Sequence, residues 1–530
     1  MTFLRLVLLV GSVLLATSVE ARPLVWARSG DALTLDPHAV NEAVTHGLNQ
    51  QIYEPLVRRG HDGSLVPVLA LSWRMIGDAN VWEFDLRPNV VFHDGSSLTA
   101  DDVVFSLQRA MMPTSGMKAI LAGVASVQSV DIDTVQITTT TPSPLLPENL
   151  TYIFIMSRAW AEANDAVAPQ DFANGAAAFA ADHANGTGPY VLVSRSPGVE
   201  TRLVRFEDYW GRDAFPAGDL GVTEVTFEVI TSVATRVAAL LAGDVDFVQD
   251  MPVQDIPRIL ATDGLHVETG AENRTIFFGF NVSPDPGALK YTEAGGRNPF
   301  AEVLVRQAIG MAIDREAIRD VVMNGQSVPA GAVIPPGVNG YDAERDRAPP
   351  VDLAMARAMM AAAGYVGGFS TTLHCTNDRY INDEGICQAI VGMLAQIGIE
   401  VRLELRSKTV HFPELQRGEL DFYLLGWGVP NYDSDNIFNA LYHTKDNMLG
   451  GWNGTHFSDP AVDAAIAALA AEVRPAARNQ QISDLWNVLQ PLTLYVPLHH
   501  QLLAWGISDN LTVSVHPDNV LWLKDFAFTE

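Results

Sequence analysis

Alternating apolar and polar stretches along the chain predict strands and helices in turn. Thr223 to Val229 alternates polar residues with valine and phenylalanine and predicts a strand. Thr235 to Ala242 predicts a helix that Gly243 ends, and residues 244–248 predict another short strand. A strand, a helix and a strand in this order form a βαβ unit, whose strands run parallel.

A second unit of this kind lies nearer the C-terminus. Ser370 to His374 predicts a strand, and Glu384 to Ile397 predicts a helix. Ile399 to Leu405 alternates strictly between apolar and charged residues, which predicts a strand with one buried face. Glu419 to Trp427 predicts a further, buried strand. The pattern therefore predicts two or more α/β domains.

The N-terminus has the layout of a secretory signal peptide. Arg5 supplies a positive charge, Leu6 to Ala16 is almost wholly apolar, and Val19-Glu20-Ala21 offers small residues for cleavage after Ala21. The apolar run is shorter than the roughly 20 residues that span a bilayer, which disfavours the alternative of an N-terminal membrane anchor. No cysteine lies near the cleavage site, so we expect a soluble, periplasmic protein.

Length and charge narrow the class of protein. A chain of 530 residues with 48% hydrophobic residues is expected to form two or three domains. A formal net charge of −28 argues against a nucleic-acid partner. Cys375 and Cys387 are the only cysteines, and in an oxidising compartment they favour a disulfide over two free buried thiols.

The sequence contains few residue patterns that are typical of a catalytic site. It has no G-x-S-x-G elbow, Walker loop or G-x-G-x-x-G fingerprint. His499 and His500 are adjacent and so point to opposite faces of a strand, which argues against a shared metal. Asp433 and Asp435 are spaced like paired acids, but a solvated loop explains them equally well. We therefore predict no catalytic residue, no metal and no cofactor.

Ordered motifs along most of the chain resemble one family, the extracellular solute-binding proteins of family 5, the peptide- and nickel-binding receptors of ABC importers. The matching segments are Ala70–Trp73, Trp82–Arg87, Phe92–Gly95, Thr99–Val103, Gly186–Tyr190, Tyr209–Gly211, Gly243–Asp246, Val305–Ile309, Ile313–Arg315, Gly426–Trp427 and Pro497–Leu498.

The resemblance implies a two-lobed α/β fold of the periplasmic binding protein type II, with an inserted extra domain and a ligand cleft between the lobes. It places lobe 1 at residues 22–58, 184–270 and 496–530, the inserted domain at 59–183, and lobe 2 at 271–495. Closure of the lobes would bury the ligand. The partners it implies are a small-molecule or peptide ligand and an ABC permease and ATPase in the inner membrane; we expect a monomer.

In peptide binders of the family an aspartate shortly after the Gly-Trp pair holds the ligand's ammonium. Here that position falls on Pro430 or Asn431, and neither can supply a charge-assisted bond. Either Asp433 takes over this role, or the ligand has no free amine there, as in a blocked peptide, an opine or a sugar derivative.

The loop of residues 375–380, which carries Asn377 and Arg379, follows a strand end, where α/β clefts bind ligands. Asn273 and Arg274 are candidates because they lie at the start of the second lobe. Arg379 could bind a carboxylate, or lie in water on a rigid surface loop. Trp427 could wall in the ligand, or pack in the core. The complete set of candidates is Asn273, Arg274, Asn377, Arg379, Trp427, Asn431, Tyr432 and Asp433.

Taken together, these features predict the periplasmic substrate-binding component of an ABC transporter, with a peptide as the first choice of ligand. The alternatives are a receptor for an opine, a blocked peptide or a sugar derivative, and a secreted hydrolase that uses Asp433 and Asp435. A receptor returns its ligand unchanged, whereas a hydrolase does not.

Overall fold

The computed structural model describes residues 23–77, 80–216, 221–446 and 448–529. The predicted signal peptide, with its cleavage point after Ala21, lies outside the described residues. The described residues form a mixed α/β fold with a 12-stranded sheet, a four-stranded sheet and two two-stranded sheets. The α/β class predicted from the alternating pattern is thus observed.

Strands and helices of the described residues are numbered in chain order. The strands are β1 (Leu24–Arg28), β2 (Val57–Arg59), β3 (Leu65–Pro67), β4 (Ala70–Ile76), β5 (Val81–Leu86), β6 (Val124–Ser129), β7 (Thr134–Thr139), β8 (Tyr190–Ser196), β9 (Glu200–Arg205), β10 (Glu224–Val229), β11 (Phe247–Val248), β12 (Leu265–Phe280), β13 (Thr292–Glu293), β14 (Ser327–Pro329), β15 (Phe369–Thr376), β16 (Ile399–Arg406), β17 (Phe422–Gly428), β18 (Tyr495–Ser508), β19 (Leu511–Thr512) and β20 (Ala527–Phe528). The α-helices are α1 (Ala43–Ile52), α2 (Ala100–Ala110), α3 (Leu146–Asn149), α4 (Arg158–Ala163), α5 (Val233–Ala242), α6 (Ile256–Leu260), α7 (Val303–Ala312), α8 (Arg315–Ala317), α9 (Leu353–Ala362), α10 (Asp383–Ala395), α11 (Lys408–Gln416), α12 (Ser434–Ile437), α13 (Pro460–Ala471) and α14 (Pro475–Leu489).

Two long antiparallel strands, β12 and β18, run through the middle of the large sheet. β12 has 16 residues and so spans roughly 50 Å. At one end β18 pairs with β11, and at the other end β12 pairs with β17, so the two long strands join the two halves of the sheet. Their register shifts between Ala271 and Thr275. The predicted boundary between residues 270 and 271 falls next to this irregularity, although the division into lobes stays a prediction.

Both predicted βαβ units are present. β10 and β11 each pair in parallel with β1, with α5 between them in sequence. β15 and β16 pair in parallel and are joined by α10. The predicted strand at Glu419 begins three residues later, at Phe422. The carboxylate of Asp421, the residue before this strand, accepts hydrogen bonds from the backbone amides of Lys290 and Tyr291.

The four-stranded sheet has the order β4-β5-β7-β6 and lies within the range 59–183 predicted for the inserted domain. Alternate residues of β5 are buried, among them Phe84, which is fully enclosed. α2 covers this core, and its first turn is fixed where the Thr99 amide donates to the Asp102 carboxylate at 2.9 Å.

Candidate ligand-binding cleft

The register shift in β12 forms the floor of the cleft. A bulge in a strand re-aims its side chains, and Glu272, Asn273 and Arg274 lie at this point. The Glu272 carboxylate accepts a hydrogen bond from Arg274 Nε at 3.0 Å and another from the amide of Gln501. Although burial opposes its charge, Arg274 has its pKa raised by the Glu272 carboxylate.

Two cavities meet at this floor and form one cleft. The first, of about 460 Å³, is walled by aromatic side chains and is called the aromatic compartment; these are Tyr380, Phe412, Trp427 and Trp452. The second, of about 630 Å³, is lined by polar side chains and is called the polar compartment; among these are Glu148, Asn149, Asn431, Asp435, Asn436 and Asn439. Both compartments share Tyr152, Glu272, Arg274, Arg379, Pro430 and Asp518.

Arg379 lies where the two compartments join. Arg379 is exposed on the surface of the cleft, and partial desolvation, followed by the positive charge of Arg274, lowers its pKa. Its side chain forms no hydrogen bond or ion pair with any carboxylate of the described residues, and its guanidinium lies 5.1 Å from the Tyr380 ring centre. Asn377, predicted from the same loop, is exposed and lines neither compartment. The loop therefore brings one of its two candidates to the cleft.

Covalent and polar bonds hold the loop that carries Arg379. Cys375 and Cys387 form a disulfide with their Cα atoms 6.7 Å apart, and both are buried. The Asp383 carboxylate accepts hydrogen bonds from the hydroxyl of Thr376 at 2.7 Å and from the amide of Arg379 at 3.2 Å. The disulfide that the sequence favoured thus ties the end of β15 to α10.

Trp427 and Asn273 both reach the aromatic compartment. Trp427 is half-buried, and its indole Nε1 donates at 2.9 Å to Oδ1 of Asn436, a residue that lines the polar compartment. Asn273 donates to the carbonyl of Val429 at 2.5 Å, while its own Oδ1 is buried without a partner. These contacts place both candidates in the cleft wall.

The remaining candidates lie on the loop that follows β17, and only some of them reach the cleft. Pro430 and Asn431 line the polar compartment, whereas Tyr432 and Asp433 lie outside both compartments. Tyr432 adopts a positive φ of 54° and packs beneath the Arg59 guanidinium, 5.0 Å from its ring centre. Arg59 also donates to the Asn431 carbonyl at 2.7 Å.

Asp433 is only 3% exposed, and protein groups occupy both oxygens of its carboxylate. Oδ1 accepts from Arg478 at 2.6 Å and from the amide of Asp435 at 2.9 Å, and Oδ2 accepts from Asn339 at 2.9 Å. These contacts argue against Asp433 as the partner of a ligand ammonium. They also argue against a hydrolytic pair, since Arg478 holds one of its two acids.

Two acidic residues of the polar compartment were not among the predicted ligand-binding residues: Glu148 was missed, and Asp435 was considered only as half of a hydrolytic pair with Asp433. Glu148 Oε2 and Asp435 Oδ1 are both buried without a hydrogen-bond partner. Burial raises the pKa of Glu148 and raises the pKa of Asp435 to about 6. Asp435 was visible in the sequence only as a neighbour of Asp433. Glu148 has no local signal, because it meets the cleft only through the tertiary fold.

Neither a metal centre nor a membrane span is found in the part of the chain that the structure describes. No group of three or more histidine, cysteine, aspartate or glutamate side chains there is arranged to hold a metal ion. No helix within the described ranges is long and apolar enough to cross a bilayer. His499 is buried, which lowers its pKa to about 3.

Comparison with protein families identifies the fold and the class of protein. The model for bacterial extracellular solute-binding proteins, family 5 (middle region) matches residues 64–448, about three quarters of the chain. The chain belongs to this family. The two-lobed α/β fold and the solute-binding role predicted from the motifs are therefore confirmed.

Individual relatives agree with this assignment. The glutathione-binding protein GsiB of Salmonella typhi is 25% identical over 514 residues, which cover 95% of this chain and 94% of GsiB. The binding protein AgaA of A. tumefaciens R10, solved with agropinic acid, is 26% identical with a TM-score of 0.71, covering 95% and 96% of the two chains. CtaP of Listeria monocytogenes shares the fold, with a TM-score of 0.82 at 20% identity over 96% and 100% of the chains.

Proposed function

We propose that this chain is the periplasmic receptor of an ABC importer and that it captures a small peptide or peptide-like amino-acid derivative through the ligand's carboxylate. The observation that carries the proposal is Arg379, a guanidinium in the cleft without a carboxylate partner among the described residues. Guanidinium groups bind carboxylates through two parallel hydrogen bonds. A ligand carboxylate would also offset the repulsion between Arg379 and Arg274.

Two relatives support a ligand of this class. GsiB is named for glutathione, a tripeptide, and AgaA was solved with agropinic acid. On the names of these relatives alone, a peptide is the first choice of ligand. The second choice, a ligand without a free amine, is favoured by Pro430 and Asn431, because the position of the aspartate in the family's peptide binders falls on one of these two residues and both line the polar compartment.

The remaining features of the proposal concern the whole chain. We propose export with removal of residues 1–21, a monomeric mature protein, and delivery of the ligand to a permease and ATPase in the inner membrane. Lobe 1 would comprise 22–58, 184–270 and 496–530, with 59–183 inserted and 271–495 as lobe 2. The protein would release its ligand unchanged, because Arg478 occupies the Asp433 carboxylate that the hydrolase hypothesis requires.

Isothermal titration with paired ligands tests the proposal. Dipeptides and N-acetylated peptides would each be compared with their C-terminal amides, which lack the carboxylate, and glutathione with the derivative in which both of its carboxylates are amides. We expect Arg379→Gln to weaken binding of the acids by about 10–100-fold, since a hydrogen bond to a charged group is worth about 1.5–3 kcal/mol. The amides should bind equally to the wild type and the variant.

Asn377→Ala is the matched control, because Asn377 lies on the same disulfide-held loop but lines neither compartment. This variant should bind every ligand like the wild type. Equal affinity of acids and amides for the wild type, or equal affinity of the acids for the wild type and Arg379→Gln, would refute a carboxylate-binding role.

A further inference from the structure

The polar compartment is unusually rich in amide side chains. With a volume of about 630 Å³ it lies beside Arg379, opposite the aromatic compartment. Six asparagines line it, namely Asn41, Asn149, Asn431, Asn436, Asn439 and Asn519. A ligand held by Arg379 would extend part of its length among these amides.

Hydrogen bonds within the protein fix the direction of two of these amides. Asn431 Oδ1 accepts from the backbone amide of Asp433 at 3.2 Å, and Asn436 Oδ1 accepts from the indole of Trp427 at 2.9 Å. Both donors are N–H groups, so the oxygen of each asparagine must face them. The two Nδ2 groups have no acceptor among the described residues and are left as hydrogen-bond donors for a ligand.

Acceptors without partners lie in the same compartment. They are Glu148 Oε2 and Asp435 Oδ1, each buried and without a hydrogen-bond partner. Glu148 belongs to α3, in the range predicted for the inserted domain, and Asp435 belongs to α12, in the range predicted for lobe 2. A buried acceptor without a partner has lost its hydrogen bonds to water, so a ligand that donates to it gains affinity.

We infer that the polar compartment holds a polyhydroxylated group, so that the ligand is an amino acid joined to a sugar-derived chain. A hydroxyl group both donates and accepts hydrogen bonds, which matches neighbouring amide donors and carboxylate acceptors. An ammonium group only donates, and would leave the Nδ2 groups of Asn431 and Asn436 without acceptors. This inference rests on the proposed function, because it extends a ligand whose carboxylate is held by Arg379.

Titration with matched probes tests the inference. The probes are N-(1-deoxyfructosyl) derivatives of glycine, valine and glutamate, the N-propyl derivatives of the same amino acids, and the dipeptides Gly-Gly and Val-Val. We expect at least one fructosyl derivative to bind tenfold or more tightly than its N-propyl counterpart. The near-isosteric variants Glu148→Gln and Asp435→Asn should each weaken fructosyl binding by about fivefold or more and leave N-propyl binding unchanged. Asn377→Ala should change neither.

The possible failures are distinguishable. If fructosyl and N-propyl derivatives bind equally and both depend on Arg379, the inference is wrong and the proposed function stands. If the dipeptides bind more tightly than every fructosyl derivative and lose affinity in Asp435→Asn, the carboxylates serve an ammonium and the inference is likewise wrong. Absence of binding by the whole fructosyl series also overturns it. Fructosyl binding that is indifferent to Arg379→Gln would instead refute the proposed carboxylate contact.

Discussion

Asp433 and Asp435 are two residues apart, yet their carboxylates lie in opposite surroundings. Asp433 is enclosed by Arg478 and Asn339 on the side of the loop away from the cleft. Asp435 lines the polar compartment and has an oxygen without a partner. One acid is therefore part of the framework, and the other is available to a ligand.

The difference arises from a short helix and a distant cation. Asp433 is the residue before α12 and turns back to accept the amide of Asp435, which fixes its side chain. Arg478 comes from α14, 45 residues further along the chain, and neutralises this carboxylate. Asp435 lies in the first turn of α12. Its carboxyl is buried without an ion pair like that between Asp433 and Arg478, and burial raises its pKa to about 6.

The largest effect on the free energy of unfolding is expected from replacing Asp433, whose carboxylate is enclosed by protein groups. Asp433→Ala should lower the free energy of unfolding by about 3–5 kcal/mol, because it leaves the Arg478 guanidinium buried without its carboxylate. Urea denaturation of the ligand-free protein measures this. The double variant Asp433→Ala/Arg478→Met is the control and should recover part of the loss. If Asp433→Ala kept its unfolding free energy but no longer bound peptides, Asp433 would be a ligand-binding residue and the prediction would be wrong.

The next largest effect is expected from removing the disulfide that holds the loop carrying Arg379. Replacing both Cys375 and Cys387 with alanine should cost about 3 kcal/mol, since the bond closes a short loop between residues 12 apart in sequence. It should also weaken carboxylate ligands, because Arg379 lies within that loop. Thermal unfolding and titration measure the two effects. The wild type under reducing conditions should behave like the double variant; insensitivity to reductant would contradict the prediction.

Local sequence patterns predicted the features that depend on residues close to one another in the chain. The capping pair of Thr99 and Asp102, both βαβ units and the cysteine pair depend on short spacings, and all are present. Arg379 was found because its loop follows a strand, and Trp427 because it belongs to the Gly426-Trp427 pair that resembles the family's motif. Contacts across long stretches of chain left no such signal. The Arg478 partner of Asp433 and the approach of Glu148 to the cleft arise only when separate elements pack together.

A smaller effect is expected at the contact between Arg59 and the loop after β17. Arg59 donates to the carbonyls of Asn431 at 2.7 Å and Gly63 at 2.9 Å and lies over the Tyr432 ring. Arg59→Met keeps most of the side-chain packing but removes these donors, so we expect a loss of about 2 kcal/mol in unfolding free energy. Ligands of every class should weaken by a similar small factor. A change confined to one class of ligand would place Arg59 in the site itself.

The smallest predicted effect is the pH dependence of stability that the Asp435 carboxyl contributes. Its pKa is about 6 in the folded protein, against an ordinary value of 3.8, so the folded state holds the proton more tightly than the unfolded chain. Its contribution to stability is therefore fully present below about pH 4 and is lost as the pH rises through 6. Asp435→Asn removes this loss. The ligand-free variant should exceed the wild type by about 1–2 kcal/mol, or a few degrees in Tm, at pH 7.5.

The gain should shrink when the same melting curves are recorded at pH 4. The exposed carboxylate of Asp263 provides the matched control, and Asp263→Asn should leave Tm nearly unchanged at both pH values. A gain for Asp435→Asn of equal size at both pH values would mean that its burial, rather than its charge, sets the cost. Asp433 and Asp435 would then differ only in how their side chains are packed, and not in the cost of a buried charge. A gain limited to neutral pH would instead show that the folded protein retains a charge in the cleft whose cost a bound ligand can relieve.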